Sequence, residues 1–388
     1  MKRLPRAVLL LGLVSLLMDM ASEMLYPVGP IYLTVALGAS IAWVGVIEGA
    51  AEAVAGLSKG YFGALSDSLG TRRPFVTLGY ALSALSKPIP AVFASVGGVL
   101  GSRLLDRVGK GVRTSPRDAL LAGCASDDNR GAAFGLHRAM DTVGAALGPA
   151  VALVYLAYRP GDYVTLFWLA LLPSSLAALT TLLVREQRFV PHPGGPSLSD
   201  SLAFWRAAPP AYRRLVFWLT LFALVNSSDV FLILRARELG FSDTLAIGAY
   251  IGYNLVYAVA AYPAGQLSDR LGRRTVLALG LALFGAVYAG FALSPRAELV
   301  WLLFGLYGLY AAMTEGVSKA WIGDLIPQER RGLALGLFTA LSSLSALLAS
   351  SWTGLLWSGY GAALPLGAAA AVAAVVALRF QAGFSRAG

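Results

Sequence analysis

The chain carries one cysteine, Cys124, and two histidines in 388 residues. A single cysteine excludes an internal disulfide framework and gives a thiol function little support. With two histidines there is no Ser-His-Asp arrangement, no His/Cys/Asp metal cluster is evident, and no glycine-rich phosphate loop precedes a soluble helix. No enzyme activity, resident metal or cofactor is therefore expected. Charge is also scarce: 13% of residues are Asp, Glu, Lys or Arg, about half of the roughly 25% usual in soluble proteins. Basic residues outnumber acidic ones by 31 to 21. That excess could point to nucleic acid, but no soluble basic domain exists to bind it.

Apolar sequence takes the place of charge, at 57% of the chain. Runs of about 20 residues, the length that crosses a bilayer core, recur along it. The pattern predicts twelve helices, at 7–34, 41–62, 72–93, 96–122, 131–157, 162–184, 213–235, 243–264, 274–294, 298–323, 333–357 and 361–380. Lys2, Arg3 and Arg6 precede an apolar run too long for a cleaved leader, so the first span is expected to be retained. The largest polar interruption, 185–212, holds Arg185, Arg188, Pro191, Pro193, Gly194, Gly195, Arg206, Pro209 and Pro210. It reads as a linker that cannot continue a helix, between an N-terminal bundle at 1–184 and a C-terminal bundle at 213–388. Alternate turns differ in charge. One set holds the N-terminal cations, then Arg72, Arg73, Arg130, the linker arginines, Arg273, Arg274, Arg330, Arg331, Arg379 and Arg386; the other has mainly Arg159, Arg237 and Arg296. Because basic loops stay on the cytoplasmic side, both termini and the linker are expected there, in a multi-pass protein of the inner membrane.

The halves repeat one another. Gly63-Ala-Leu-Ser-Asp67-Ser-Leu-Gly70-Thr-Arg72 returns 202 residues later as Gly265-Gln-Leu-Ser-Asp269-Arg-Leu-Gly272-Arg273-Arg274. Arg130-Gly131-x-Ala133-x-Gly135-Leu136 returns as Arg331-Gly332-x-Ala334-x-Gly336-Leu337. Each long copy reads as a tight polar turn between two spans. Two like-oriented six-helix repeats can enclose a central cavity and work by alternating access. On these residues the chain resembles the major facilitator superfamily of secondary transporters, whose loop between helices 2 and 3 reads Gly-x-Leu-Ala-Asp-Arg-x-Gly-Arg-Arg/Lys. The first copy has Ser68 and Thr71 in place of two basic residues; the second is nearer the full pattern. The resemblance implies an all-α membrane protein of twelve transmembrane helices in two pseudo-symmetric bundles. It also makes Gly63, Asp67, Gly70, Arg72, Gly265, Asp269, Gly272, Arg273 and Arg274 a cytoplasmic latch. Its arginines would meet carboxylates or helix-end carbonyls across the bundle interface.

Two further motifs resemble that family. Arg103-Leu-Leu-Asp106-Arg107-Val-Gly109-Lys110-Gly111 on the fourth span matches Arg-x-x-x-Gly-x-Gly-x-Gly, with Arg107 in a glycine's place. The run continues to Arg113, Pro116, Arg117 and Asp118 and looks like a prokaryotic subgroup with no substrate attached. Gly144-Ala-Ala-Leu-Gly148-Pro149 on the fifth span resembles an antiporter motif whose last two glycines are here Ala152 and Leu153. Small residues four apart equally serve close helix packing.

A charge at the bilayer centre costs about 2.5–3.5 kcal/mol even on the insertion scale, so each one needs a cavity or a partner. Asp19 and Glu23 share a face of the first span, where they handle protons or substrate, or neutralise arginines of the fourth. Arg103, Asp106, Arg107, Lys110, Arg113 and Arg117 form one stripe on the fourth span. They bind an anionic ligand, take part in coupling, or satisfy nearby acids. Asp229 on the seventh span and Glu315 on the tenth are candidate protonation sites, with Lys319 one turn beyond Glu315. Arg138 and Asp141 read as a pair, and Lys87 as reaching toward the outer interface. In the family the first, fourth, seventh and tenth helices line the cavity, and these four are the most polar here.

The reading that follows is a secondary active transporter, a proton-coupled exporter of a small organic or drug-like solute. Its partners are the lipid bilayer, the solute and protons, and it acts as a monomer without nucleic acid. The alternatives are import or exchange of an organic anion on the basic stripe and, more remotely, a non-transporting membrane sensor.

Overall fold

The computed structural model describes residues 5–124, 130–186, 198–294, 296–327 and 330–382. Lys2, Arg3, Arg188, Pro191, Pro193, Gly194, Gly195 and Arg386 lie outside the described residues, as do the side chains of Asp67 and Arg130.

Among the described residues the helices make up twelve spans. The first runs through α1 (Arg6–Leu25), α2 (Val28–Ile31) and a wider π turn at Tyr32–Ala36. The next five are α3 (Ile41–Ser68), α4 with α5 (Arg73–Ser86, Ile89–Val92), α6 (Val96–Cys124), α7 (Arg130–Tyr158) and α8 (Tyr163–Thr181). After α9 (Leu198–Ala207), the second half has α10 with α11 (Pro210–Ala223, Val230–Glu238), α12 (Asp243–Leu271) and α13 (Arg273–Leu293). It ends with α14 (Leu299–Leu325), α15 (Arg331–Tyr360) and α16 (Ala363–Ala382). Nine spans of the described chain are long and apolar enough to cross a membrane. The other three are two interrupted helix pairs, α4–α5 and α10–α11, and the charged α6.

The interruptions follow from local chemistry. Pro88 has no N–H for the carbonyl of Ala84 and its ring crowds the preceding turn, so α4 stops at Ser86. Between α10 and α11 stand Asn226, Ser227, Ser228 and Asp229, whose short polar side chains compete for backbone groups. Helix ends inside a bilayer must find partners. Here the Trp352 indole donates to the Leu224 carbonyl at 2.7 Å, and Ser350 Oγ accepts from the Ser228 amide at 3.1 Å.

Three expectations change in the structure. The repeated phrase is mostly helix rather than turn: α3 continues to Ser68 and α12 to Leu271. Nothing between Gly63 and Ser68 breaks a helix, and the hydroxyls of Ser66 and Ser268 bond back to the carbonyls of Gly63 and Gly265 at 2.8 and 2.7 Å. The chain reverses only at Gly70 and Gly272, whose φ of 65° and 88° suit glycine alone. The linker contains a helix, α9, whose Phe204 and Trp205 rings meet Tyr212 edge-on. The seventh span starts at Pro210, earlier than 213, because proline is well suited to a first helical position.

The chain forms two compact units. One is Met1–Ala39 with Ala50–Ser197; the other is Ser40–Gly49 with Leu198–Gly388. The N-terminal end of α3 therefore belongs with the second unit, where a Cβ on Gly45 or Gly49 would collide with backbone of α15 at Ser350 or Leu347. In unit 1, α1 lies along α7 and α8, and α4 along α6 and α8, around a core that includes Val8, Leu11, Val14, Met18, Val76, Tyr80 and Leu121. In unit 2, α13 lies between α14 and α16, and α12 lies along α14.

Candidate functional site

The glycines of the fifth span set the geometry of unit 1. A Cβ on Gly144 would strike the Leu16 carbonyl of α1, and one on Gly148 would strike the Met20 carbonyl and the Met24 amide. The motif thus acts as a seam that lets α1 and α7 touch, closed off by buried Pro149. That seam brings the Asp19 carboxyl close to that of Asp141. Ser15 Oγ donates to Asp141 Oδ1 at 2.6 Å, and the Arg138 guanidinium donates to Asp141 Oδ2 at 3.2 Å. Arg117 reaches Ser15 at 3.4 Å and pairs with Asp118 at 2.9 Å. Lys110 and Glu23 act electrostatically on Asp19. Asp141 meets Arg138 as the sequence suggests, while the second carboxyl beside it could not be read from spacing. Two carboxylates side by side repel each other, and a proton shared between them would relieve that repulsion.

The basic stripe of α6 divides. Asp106 and Arg113, two turns apart, both turn inward against α4. Lys87 Nζ lies 3.0 Å from Asp106 Oδ1 and also donates to Ser22 Oγ at 3.0 Å, with both charged side chains under a tenth exposed. Lys87 is thus buried rather than reaching outward. The Arg113 guanidinium bonds Ser83 Oγ and sits 4.5 Å from the centre of the Tyr80 ring. Gly79 and Gly109 make this possible, since a Cβ on either would meet the other's carbonyl. On the adjoining face Arg103 lies over the Tyr26 ring at 5.5 Å, and Arg107 and Lys110 are half-buried.

The two loop motifs bind within their own units. In the first, the Glu186 carboxylate accepts the amides of Arg72 and Arg73 at 2.6 and 2.9 Å and the Thr71 hydroxyl at 3.2 Å. Glu186 therefore caps α4, a role the sequence reading missed, and Thr71 contributes where the family has a base. Arg72 donates to the Ala119 carbonyl and Arg73 to that of Leu182. In the second copy Arg273 pairs with Asp269 at 2.7 Å and Asp324 at 3.2 Å, and Arg274 donates to the Gln381 carbonyl. Arg73 and Arg274 are each tied to the end of the last helix of their half, although in the repeat Arg274 corresponds to Arg72.

Unit 2 gathers tyrosines around Asp229. Tyr307 Oη donates to Asp229 Oδ1 at 2.6 Å, and Tyr253 Oη to Oδ2 at 3.2 Å. Tyr257 Oη donates to Glu315 Oε2 at 2.9 Å, where Glu315 and Lys319 are both exposed. Tyr250, Tyr253 and Tyr257 recur at helical spacing in α12, a signal present in the sequence but not used.

Paired six-helix halves, with bilayer-length helices and ionisable groups held inside each half, define a multi-pass membrane transporter. The sequence profile of the Major Facilitator Superfamily matches residues 11–234 and again 217–384. The chain belongs to that superfamily. It is 33% identical over 362 residues to an uncharacterised MFS-type transporter of Methanocaldococcus jannaschii, covering 92% of this chain and 89% of that one. A tetracenomycin C resistance and export protein of Streptomyces glaucescens is 29% identical over 133 residues, 33% of this chain and 25% of that one. Among solved structures, a nucleoside transporter superposes with a TM-score of 0.80 at 15% identity, covering 99% of this chain and all of the other. At that identity the likeness concerns the fold.

Proposed function

We propose that this transporter is a proton-coupled antiporter that expels a small organic solute, working as a monomer in the inner membrane with both termini in the cytoplasm. The observation that carries the reading is the pair of neighbouring carboxyls Asp19 and Asp141, which on this reading share one proton, set on the α1–α7 seam among Ser15, Arg117, Arg138 and Lys110. Loss of that proton would leave two adjacent negative charges, which must separate or draw in a cation. Arginine cannot supply a proton itself, but a change in its distance changes how tightly the pair holds one. The seam and the pair are therefore one device: motion of α1 against α7 and proton release are mechanically linked. The partial likeness to an export protein agrees with this direction. The anion reading has less to stand on, because Asp106 and Arg113 are turned inward and Asp106 is engaged by Lys87.

The test is flux in proteoliposomes with an imposed pH gradient, across a panel of organic solutes, followed by substrate exchange without a gradient. Asp19→Asn and Asp141→Asn should each lower gradient-driven flux by about tenfold or more while exchange persists. Undiminished gradient-driven flux in both variants would sink the proposal.

A further inference from the structure

In unit 2 the break between α10 and α11 exposes polar groups to the facing sides of α12 and α14. Gly308 of α14 lets α12 come close, since a Cβ there would meet the Tyr253 carbonyl. The Tyr253 and Tyr307 rings consequently lie 5.0 Å apart, with Tyr310 5.2 Å from Tyr307 and Tyr250 5.7 Å from Tyr253. Tyr253 and Tyr307 point their hydroxyls at Asp229. The side-chain oxygen of Asn226, three residues before Asp229, is buried and finds no donor among the described residues. At one edge Tyr257 and Glu315 are more open.

We propose that this cluster is a binding site for an organic ammonium ion, with Asp229 as counter-charge, Asn226 Oδ1 as acceptor, and the rings of Tyr253, Tyr257 and Tyr307 as walls. Aromatic faces carry negative potential, and rings grouped with a carboxylate form the kind of cage that holds ammonium groups. The hydroxyls of Tyr253, Tyr257 and Tyr307 are spent on the two carboxylates, which leaves the carboxylate oxygens, the Asn226 oxygen and the ring faces as the acceptors of the site, beside the hydroxyls of Ser227 and Tyr288. A buried acceptor without a donor is completed by a ligand N–H. An anion would face both the carboxylate and the ring faces; a neutral solute would gain only apolar contact. Glu315, beside the open edge, gives an arriving cation a first partner. This names the solute class for the exporter proposed above and rests on that reading for its role in transport, though binding itself does not require proton coupling.

The experiment is calorimetric binding to the purified full chain in lipid nanodiscs, without a pH gradient. The probes are benzyltrimethylammonium, its neutral carbon isostere neopentylbenzene, phenylacetate and benzylamine. Benzyltrimethylammonium should bind at least about tenfold more tightly than the isostere or phenylacetate. Asp229→Asn should weaken it by a similar factor, and Tyr307→Leu should weaken it more than Tyr307→Phe. Asn226→Ala should weaken benzylamine, which has N–H groups, more than the quaternary ion. Equal binding of isostere and cation, no cation binding, or undiminished binding in a stably folded Asp229→Asn protein would each overturn the site. Cation binding without gradient-driven flux would remove the antiport reading and leave this site standing. Gradient-driven flux of neutral or anionic solutes without cation binding would do the reverse.

Discussion

At the residue scale, the most informative side chains are charges that the bundle encloses. Lys87 and Asp106 show why position in sequence misleads here. Lys87 precedes a proline near the end of its span, where a long side chain ordinarily reaches water. The break at Pro88 and the Gly79–Gly109 crossing instead direct it onto Asp106 and Ser22. Removing one member of a buried pair leaves the other as an uncompensated charge, at a cost of about 3–5 kcal/mol, whereas replacing both with apolar groups is often neutral. Lys87→Met is therefore expected to lower the thermal midpoint of the detergent-solubilised protein markedly, and Lys87→Met combined with Asp106→Leu to recover most of it. If the double variant were no more stable than the single one, the pair would not be what holds α4 to α6 at this level. The same reasoning separates Asp106 from Asp19: one has a fixed cation beside it, the other a second acid. Periodicity placed both on polar faces; only the packing shows which partner each one meets.

At the element scale, helix existence was legible because about 20 consecutive apolar residues admit few other structures in a bilayer. Helix ends were less so. The Gly-x-Leu-Ser-Asp phrase looks like a turn by composition, yet its serines satisfy carbonyls within the helix and the reversal narrows to Gly70 and Gly272. The connection between α7 and α8 is a case where one residue sets a boundary. Asp162 caps α8 by accepting the Thr165 amide at 3.2 Å and also binds the hydroxyls of Thr165 and Tyr155, at 2.8 and 2.6 Å. These bonds, the Tyr155 hydroxyl foremost, favour the ionised form and hold its pKa below the ordinary carboxylate value. A depressed folded-state pKa gives stabilisation that is complete above the unfolded value of about 3.9 and is lost as pH falls through the folded value. Asp162→Ala is expected to cost about 1 kcal/mol at neutral pH, the usual worth of a side-chain cap. The difference from wild type should shrink in thermal melts taken progressively below pH 4. An equal penalty at neutral and strongly acid pH would show that the carboxylate is not the stabilising group.

At the scale of the whole molecule, the duplication was readable from the loop phrase, and with it the superfamily, because glycine, aspartate and arginine recur at one fixed offset. The candidate sites were only half readable. Asp19, Asp141, Asp229 and Glu315 stand out as acids in apolar sequence, but their partners come from other helices: Asp141 for Asp19, and tyrosines of α12 and α14 for Asp229 and Glu315. Contacts of that kind depend on which glycines let helices approach, and no single segment records them. Orientation is a property of the entire chain, set by the sum of its turns. The α3–α4 and α12–α13 turns carry Arg72, Arg73, Arg273 and Arg274, each tied by hydrogen bonds to helix ends or acids of its own unit. Against them the α7–α8 turn has Arg159 beside Asp162. By the retention of Lys and Arg in short cytoplasmic loops, the latch turns are expected inside and Tyr158, which is 83% exposed, outside. With Cys124 replaced by serine the chain has no thiol, so a single introduced cysteine reports its own side. A membrane-impermeant maleimide applied to intact cells is expected to label Tyr158→Cys fully and Ser68→Cys only after the membrane is opened. The reverse pattern would invert the molecule. The direction of the proposed antiport would survive such an inversion, because inward proton flow drives the exchanged solute outward whichever face the latch turns occupy.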